Sequence, residues 1–370
     1  MLEVFFVTRS VPAHTISTGT GYGQSEFSEL RNHLINIQNR VANSLAIINS
    51  TNLANNWQTV VDSEAGYIQV SATQARALLL MITGNVLEAK PGSNFQTPLD
   101  QAQPGDIIIL EAGVTYIGNF ILRNKQGSGV ITITGSRLSE LPTGRVSKTM
   151  AGLMPKILSP NGSPAIATAD GAHHYRLIGL EITSTIYNNG IVRLGNGTET
   201  SELQLPDQIE IDRVYIHGDS VKGSKRGIAL NAKSTKITNS YISDIKSDGQ
   251  DSQAIYGWNG PGPYLIKNNY LEAAGENIMF GGSDPALLGV TPSDIEIRGN
   301  YLVKPLAWRG ENWVVKNLLE LKTGRRVRIY ENVFENLWQS GQFGLRCSSN
   351  PDQKMSRHRQ LHRTCTFTTI

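Results

Sequence analysis

Two short stretches of this 370-residue chain carry side chains whose types and spacing suit chemistry on one face of a sheet. In VKNLLELKTG, residues 315–324, Leu319 and Leu321 turn to one side, leaving Lys316, Leu318, Glu320 and Lys322 on the other. In GENIMFGGSD, residues 275–284, the same phase sets Glu276 one repeat before Lys316, with Asn277 and Asn317 facing inward. Arg325, Arg326 and Arg328 follow closely. Elimination at an acidic sugar needs a charge to neutralise the substrate carboxylate, supplied by Ca²⁺ on carboxylates or by Arg or Lys. It also needs a base to withdraw the neighbouring proton. These residues are of the right kinds. The plain alternative is that Glu320 and Lys322 form a solvated surface pair worth under about 1 kcal/mol.

Other constellations are weaker. Asp248 and Asp251 in SDGQDSQ are the best carboxylate pair for glycoside hydrolysis, but the bland reading is two turn residues ahead of a strand. Trp258, in YGWNGPGP, offers a flat apolar face for a sugar, as do Trp308 and Trp313, although tryptophan packs equally well beneath a loop. His173, His174 and His217 have no nucleophile partner in view and read as structural. Cys347, His358, His362 and Cys365 could be drawn as a zinc site, but there is no CxxC pair. The 10 residues between Cys347 and His358 match no common finger.

The elements that must position these groups show in an internal repeat. Aligning IDRVYI (211–216), ITNSYI (237–242), IKNNYL (266–271), IRGNYL (297–302) and IYENVF (329–334) puts Tyr215, Tyr241, Tyr270, Tyr301 and Val333 in one column, separated by 26, 29, 31 and 32 residues. LIGLEI (177–182) fits one repeat earlier. A unit of this length cannot bury its apolar side alone, so it must stack into a solenoid. Without helical segments in the repeat, the solenoid is built of β-coils. The column before the aromatic reads Val214, Ser240, Asn269, Asn300 and Asn332. Asn tolerates left-handed backbone, and stacked amides can bond from coil to coil.

Around the repeat the text differs. Residues 1–85 form a mainly helical appendage: Phe27, Leu30, Leu34, Ile37, Val41, Leu45 and Ile48 make an apolar stripe, and a second helix covers 72–83. The stripe packs on the rest of the fold or, as a short coiled coil, makes trimers of an otherwise monomeric chain. Residues 345–370 hold both cysteines and no glycine, and read as an atypical, frame-shifted ending. Hydrophobic content of 39%, charged content of 18% and a net charge of +3 fit a folded protein without the basic stripe of a nucleic-acid binder. No apolar run is long enough to span a membrane, and Glu3 stands where a signal peptide wants a basic residue.

Pro104-Gly105-Asp106 before IIIL, followed by YIGNFIL, resembles the opening coil of pectin-lyase-like right-handed parallel β-helix proteins, and with the repeats the resemblance spans residues 86–344. It implies an all-β solenoid, single-stranded and right-handed, extracellular or cell-surface, with acidic polysaccharide along an exposed sheet. ELK followed by a strand ending in Asn and an aromatic resembles the Glu/Lys region of β-helical alginate and chondroitin lyases. That likeness implies Lys322 as base and Glu320 as a Ca²⁺ ligand. The residue types themselves add Arg325 to the catalytic candidates, Glu276 to the Ca²⁺ ligands, and Lys316, Arg326 and Trp258 as groups against the sugar. The spacing departs from that family, and the arginine-bearing strand expected one coil later is missing. The NTD, GHG and RIK motifs of polygalacturonase-like hydrolases and the WIDH signature of pectate lyases are absent. The alternative is a non-catalytic glycan-binding or phage tail-fibre-like β-helix.

Overall fold

The computed structural model describes residues 84–338 and the backbone of two strands beyond them, Cys347–Ser349 and Cys365–Thr368. The helices expected within 1–83, with the trimerising stripe, lie outside the described residues. Strand β1 (Val86–Ala89) and a short helix, α1 (Gln96–Gln101), precede the first full coil: β2 (Ile107–Leu110), β3 (Thr115–Ile117) and β4 (Phe120–Leu122). The next coils are β5 (Ile131–Gly135), β6 (Lys156–Ser159), β7 (Ile166–Thr168); β8 (His173–Ile178), β9 (Glu181–Ser184), β10 (Val192–Leu194); and β11 (Asp207–Asp212), β12 (Tyr215–His217), β13 (Arg226–Leu230). Then come β14 (Lys233–Thr238), β15 (Tyr241–Ile245), β16 (Gln253–Gly257); β17 (Gly262–Lys267), β18 (Tyr270–Ala273), β19 (Glu276–Phe280); and β20 (Ile295–Arg298), β21 (Tyr301–Val303), β22 (Leu319–Leu321). The last coil has β23 (Arg328–Tyr330), β24 (Asn332–Glu335) and β25 (Cys347–Ser349), and β26 (Cys365–Thr368) follows.

Corresponding strands stack into three parallel sheets of nine, nine and eight strands. The first sheet runs from β1 and β2 to β23, the second from β3 to β26 and the third from β4 to β25. This is a right-handed parallel β-helix, the hand that parallel crossovers adopt. The atypical tail supplies β25 against β22 and β26 against β24.

The aligned column survives residue by residue. Tyr215 lies opposite Tyr241, Tyr241 opposite Tyr270, Tyr270 opposite Tyr301 and Tyr301 opposite Val333. The loosely fitting repeat also keeps register, with Leu177 opposite Ile211 and Ile182 opposite Ile216. Inside, Ile211, Ile237, Ile266 and Ile297 form one of several aliphatic stacks, each residue 0% exposed. Burying one such side chain contributes about 1.5–3 kcal/mol, and only a neighbouring coil can do it.

At the short turn between first and second sheets, Asn269 Nδ2 donates to Asn300 Oδ1, and Asn300 Nδ2 to Asn332 Oδ1, each at 2.9 Å. The same Oδ1 atoms accept the backbone N–H of the residue one coil earlier. The left-handed backbone sits one position earlier than the ladder column, at Gly179, Arg213, Asn239, Asn268, Gly299 and Glu331. The ladder amides are thus selected for bonding alone. The turn conformation is borne by the residue before them.

Candidate functional site

The third sheet brings β13, β16, β19 and β22 side by side. Ile228, Ile255, Ile278 and Leu319 stack inward, so the outward row reads Ala229, Tyr256, Met279 and Glu320. Strict alternation stops within β19 and just before β22. Asn277 and Ile278 both donate their backbone N–H to Leu318 O, at 3.2 and 3.3 Å, which marks a bulge-like kink. Leu318, expected to face out, is instead 1% exposed in the core beside Leu319. Asn277 faces inward as expected, donating to Leu271 O and Val303 O. It makes no ladder with Asn317.

Because of the kink, Glu276 reaches the acidic and basic groups of the neighbouring coils. Gln253, opposite it on β16, donates Nε2 to Glu276 Oε2 at 2.8 Å. Lys316 Nζ lies 2.7 Å from Asp251 Oδ1 and donates to Oδ2 at 2.8 Å. Lys322 Nζ stands 3.9 Å from Glu320 Oε1 with its side chain 43% exposed, so it is the accessible amine of the group. Its stem passes over Gly282, where a Cβ would lie 3.0 Å from Lys322 Cδ and 2.5 Å from Met279 Cε. A side chain there would displace the lysine.

Burial pushes the Glu276 carboxyl up to about 7, with the Asp251 and Glu320 charges adding to the effect while Gln253 and Lys316 oppose it. Burial works against the Lys316 ammonium, but its bond to Asp251 and the charges of Asp251, Glu276 and Glu320 hold it above the ordinary lysine value. Beneath the site Lys304 is 0% exposed, its Nζ contacting Ala273 O, Ala274 O, Gly275 O and Asn277 Oδ1 at 2.5–3.1 Å. Burial draws its pKa down to about 7. All four contacts are acceptors, which favours the ammonium and ties down the corner leading into Glu276.

Three buried oxygens on this face have no hydrogen-bond donor: Gln253 Oε1, Glu276 Oε1 and Glu320 Oε2. Among the described residues no group of three or more His, Cys, Asp or Glu side chains could hold a metal ion. Two carboxylates and an amide oxygen on successive coils are nevertheless hard ligands of the kind Ca²⁺ takes, with water completing the shell. The donor types, though not a closed set of ligands, are those of the Ca²⁺ that the family resemblance implies.

Lys316 lies within electrostatic reach of Glu276 and Glu320, Lys322 pairs with Glu320, and Trp258 stacks on Tyr256 of the outward row with centroids 4.9 Å apart. The two arginines do not join them. Arg326 forms a bidentate pair with Asp294 at 2.5 and 2.6 Å, at the corner leading into the first sheet. Exposed Arg325 adds its charge to the same aspartate and pairs its backbone with Ser293. The chain turns through Gly324 and reaches the first sheet within a few residues, and that takes both away.

Asp251, Gln253 and Arg226 were not singled out for this cluster, because the glycines at 227 and 257 hide the strand phase from a linear reading. Asp248 is exposed and apart from Asp251, which is committed to Lys316. Trp308 and Trp313 enclose Lys246, whose Nζ lies 5.1 and 4.9 Å from their rings. His217, on the second sheet, places Nε2 3.0 Å from Glu181 Oε1, which also pairs with Lys156 at 3.0 Å. The three side chains tie neighbouring coils together.

No protein-family model matches the sequence, and no curated protein is similar to it. Several solved structures are similar in fold, among them three carbohydrate-active enzymes. The alginate lyase of Paenibacillus sp. str. FPU-7 is 15% identical, over 67% of this chain and 76% of that one, with a TM-score of 0.41. The pectin methylesterase of Aspergillus niger is 12% identical, over 68% and 76%, with a TM-score of 0.44. The PL6 family alginate lyase AlyGC is 15% identical, over 68% and 40%, with a TM-score of 0.32. By the architecture of its own three sheets, this chain is a right-handed parallel β-helix protein.

Proposed function

We propose that the outward face of the third sheet binds an acidic polysaccharide and cleaves it by β-elimination at a uronate. The observation that carries this reading is an accessible lysine, Lys322, beside the buried Glu320, with the buried Glu276 within electrostatic reach of Glu320 and one oxygen of each carboxylate lacking a donor. Lys322, as the free amine, takes the proton from C5 of the uronate. The electron pair forms the C4–C5 double bond as the C4–O bond breaks, and the leaving oxygen takes a proton from the resulting ammonium or from water. A calcium ion held by Glu276, Glu320 and Gln253 Oε1 would neutralise the substrate carboxylate and so acidify C5. Lys316, positioned by Asp251, lies beside the sugar, and Trp258 offers it a flat face. Arg325 has no step in this scheme. An extracellular or cell-surface location belongs to the same proposal.

The test is ultraviolet absorbance on incubation with a panel of uronate polysaccharides, with and without Ca²⁺. Elimination leaves an unsaturated, absorbing product and hydrolysis does not. A signal present in the wild type and lost in Lys322→Ala supports the reading. Product formation that persists in Lys322→Ala rules that residue out as base. Glycan binding with no product would instead favour the non-catalytic binder.

A further inference from the structure

Arg226 lies on the same face but outside the proposed chemistry. It opens β13 opposite Gln253, which is itself opposite Glu276. Two coil spacings separate it from Glu276, about 10 Å along the axis of the solenoid. Its guanidinium carbon is 4.5 Å from the centre of the Tyr256 ring and 5.6 Å from that of Trp258. Its Nε is buried with no hydrogen-bond acceptor, and no carboxylate pairs with it among the described residues. Arg176, Arg213, Arg298 and Arg326, by contrast, each hold a carboxylate. Lys225 is adjacent in sequence, and Arg226 is a like charge that disfavours its ammonium after burial itself.

A half-buried cation without a counter-ion is costly, and a ligand anion would relieve that cost. Stacking on Tyr256 orients the planar group while leaving its edge N–H donors in the plane, the arrangement that grips a carboxylate with two bonds. Resting on the reading of this face as a glycan site, we infer that Arg226 binds a second carboxylate of the same polysaccharide. This carboxylate lies on a sugar removed along the chain from the unit beside Lys322. The ligand class is then a glycan whose acidic groups recur along its length, and a neutral polymer carrying one isolated uronate is bound poorly.

The experiment is calorimetric titration of the full chain with an oligouronate long enough to span both positions, and with its carboxyl-reduced, neutral counterpart. Melting temperatures are recorded for every variant. Arg226→Met, which keeps the stem over Tyr256, should bind the oligouronate about ten- to a hundred-fold more weakly, the range for a charge-assisted bond, and leave binding of the neutral oligomer unchanged. Arg226→Lys keeps the charge without the fork and should fall between. Wild-type affinity for the oligouronate in Arg226→Met, or equal losses for both oligomers, overturns the inference. Oligouronate binding that depends on Arg226 but yields no unsaturated product refutes the lyase reaction and supports the Arg226 site. Elimination with unaltered half-saturation in Arg226→Met does the reverse.

Discussion

Glu276 allows a test of the site's electrostatics that needs no substrate. Its carboxyl is 0% exposed, with one oxygen bonded to Gln253 and the other without a donor. Burial, and then the charges of Asp251 and Glu320, raise its pKa from 4.5 to about 7. The folded protein therefore takes up this proton more readily than the unfolded chain. Stability from Glu276 is complete below the unfolded value and declines as pH rises from 4.5 to about 7, where the folded carboxyl also ionises. The gap corresponds to about 3 kcal/mol at 1.36 kcal/mol per pH unit. Glu276→Gln has no proton to lose, while Asp251 and Glu320 are common to both proteins. Denaturant unfolding at about pH 5 and about pH 8 should show the wild type losing about 2–3 kcal/mol relative to the variant between those values, part of the effect being already lost at pH 5. Millimolar Ca²⁺ should shrink that difference, because a cation beside the carboxylate replaces the missing partner. Parallel pH profiles of wild type and variant, without Ca²⁺, would show that Glu276 ionises normally in the fold and refute the desolvation argument.

Two further perturbations probe the scaffold. Asn300→Ala removes an amide that accepts from Asn269 N and Nδ2 and donates to Ile266 O and Asn332 Oδ1, so it should cost about 2–4 kcal/mol in denaturant unfolding. A loss below about 1 kcal/mol would mean that water takes over the bonds. Lys304→Met removes one donor from each of four buried oxygens around Glu276, of which Ala274 O keeps the Lys316 N–H, and should cost about 3 kcal/mol or more while weakening oligouronate binding. Unchanged stability would show that the corner needs no ammonium.

The repeat was legible because stacking is a linear rule. Each coil can bury Ile211, Ile237, Ile266 or Ile297 only against its equivalent, so spacing in the text becomes register in the sheet. The tyrosine column and the amide ladder followed from the same alignment. Phase within the third sheet is less legible: Glu320 lies on the outward row as alternation predicts, but Leu318, which the same alternation turns outward, lies in the core. The kink at Leu318 O arises from pairing between coils, and no alternation count along one strand contains it.

What the sequence determined by itself is the solenoid, its register across the described coils and the kinds of group on one face, because those depend on identical neighbours at recurring distances. Only the tertiary structure decided which of those groups meet. It sent Arg326 to Asp294 on another corner, drew Asp251 onto Lys316, and brought Gln253 and Arg226 alongside from coils whose glycines conceal their phase. Charge and hydrogen-bond partners are set by distances of a few ångströms between chain segments tens of residues apart. Those distances depend on the kinks and corner turns that the coils impose on one another.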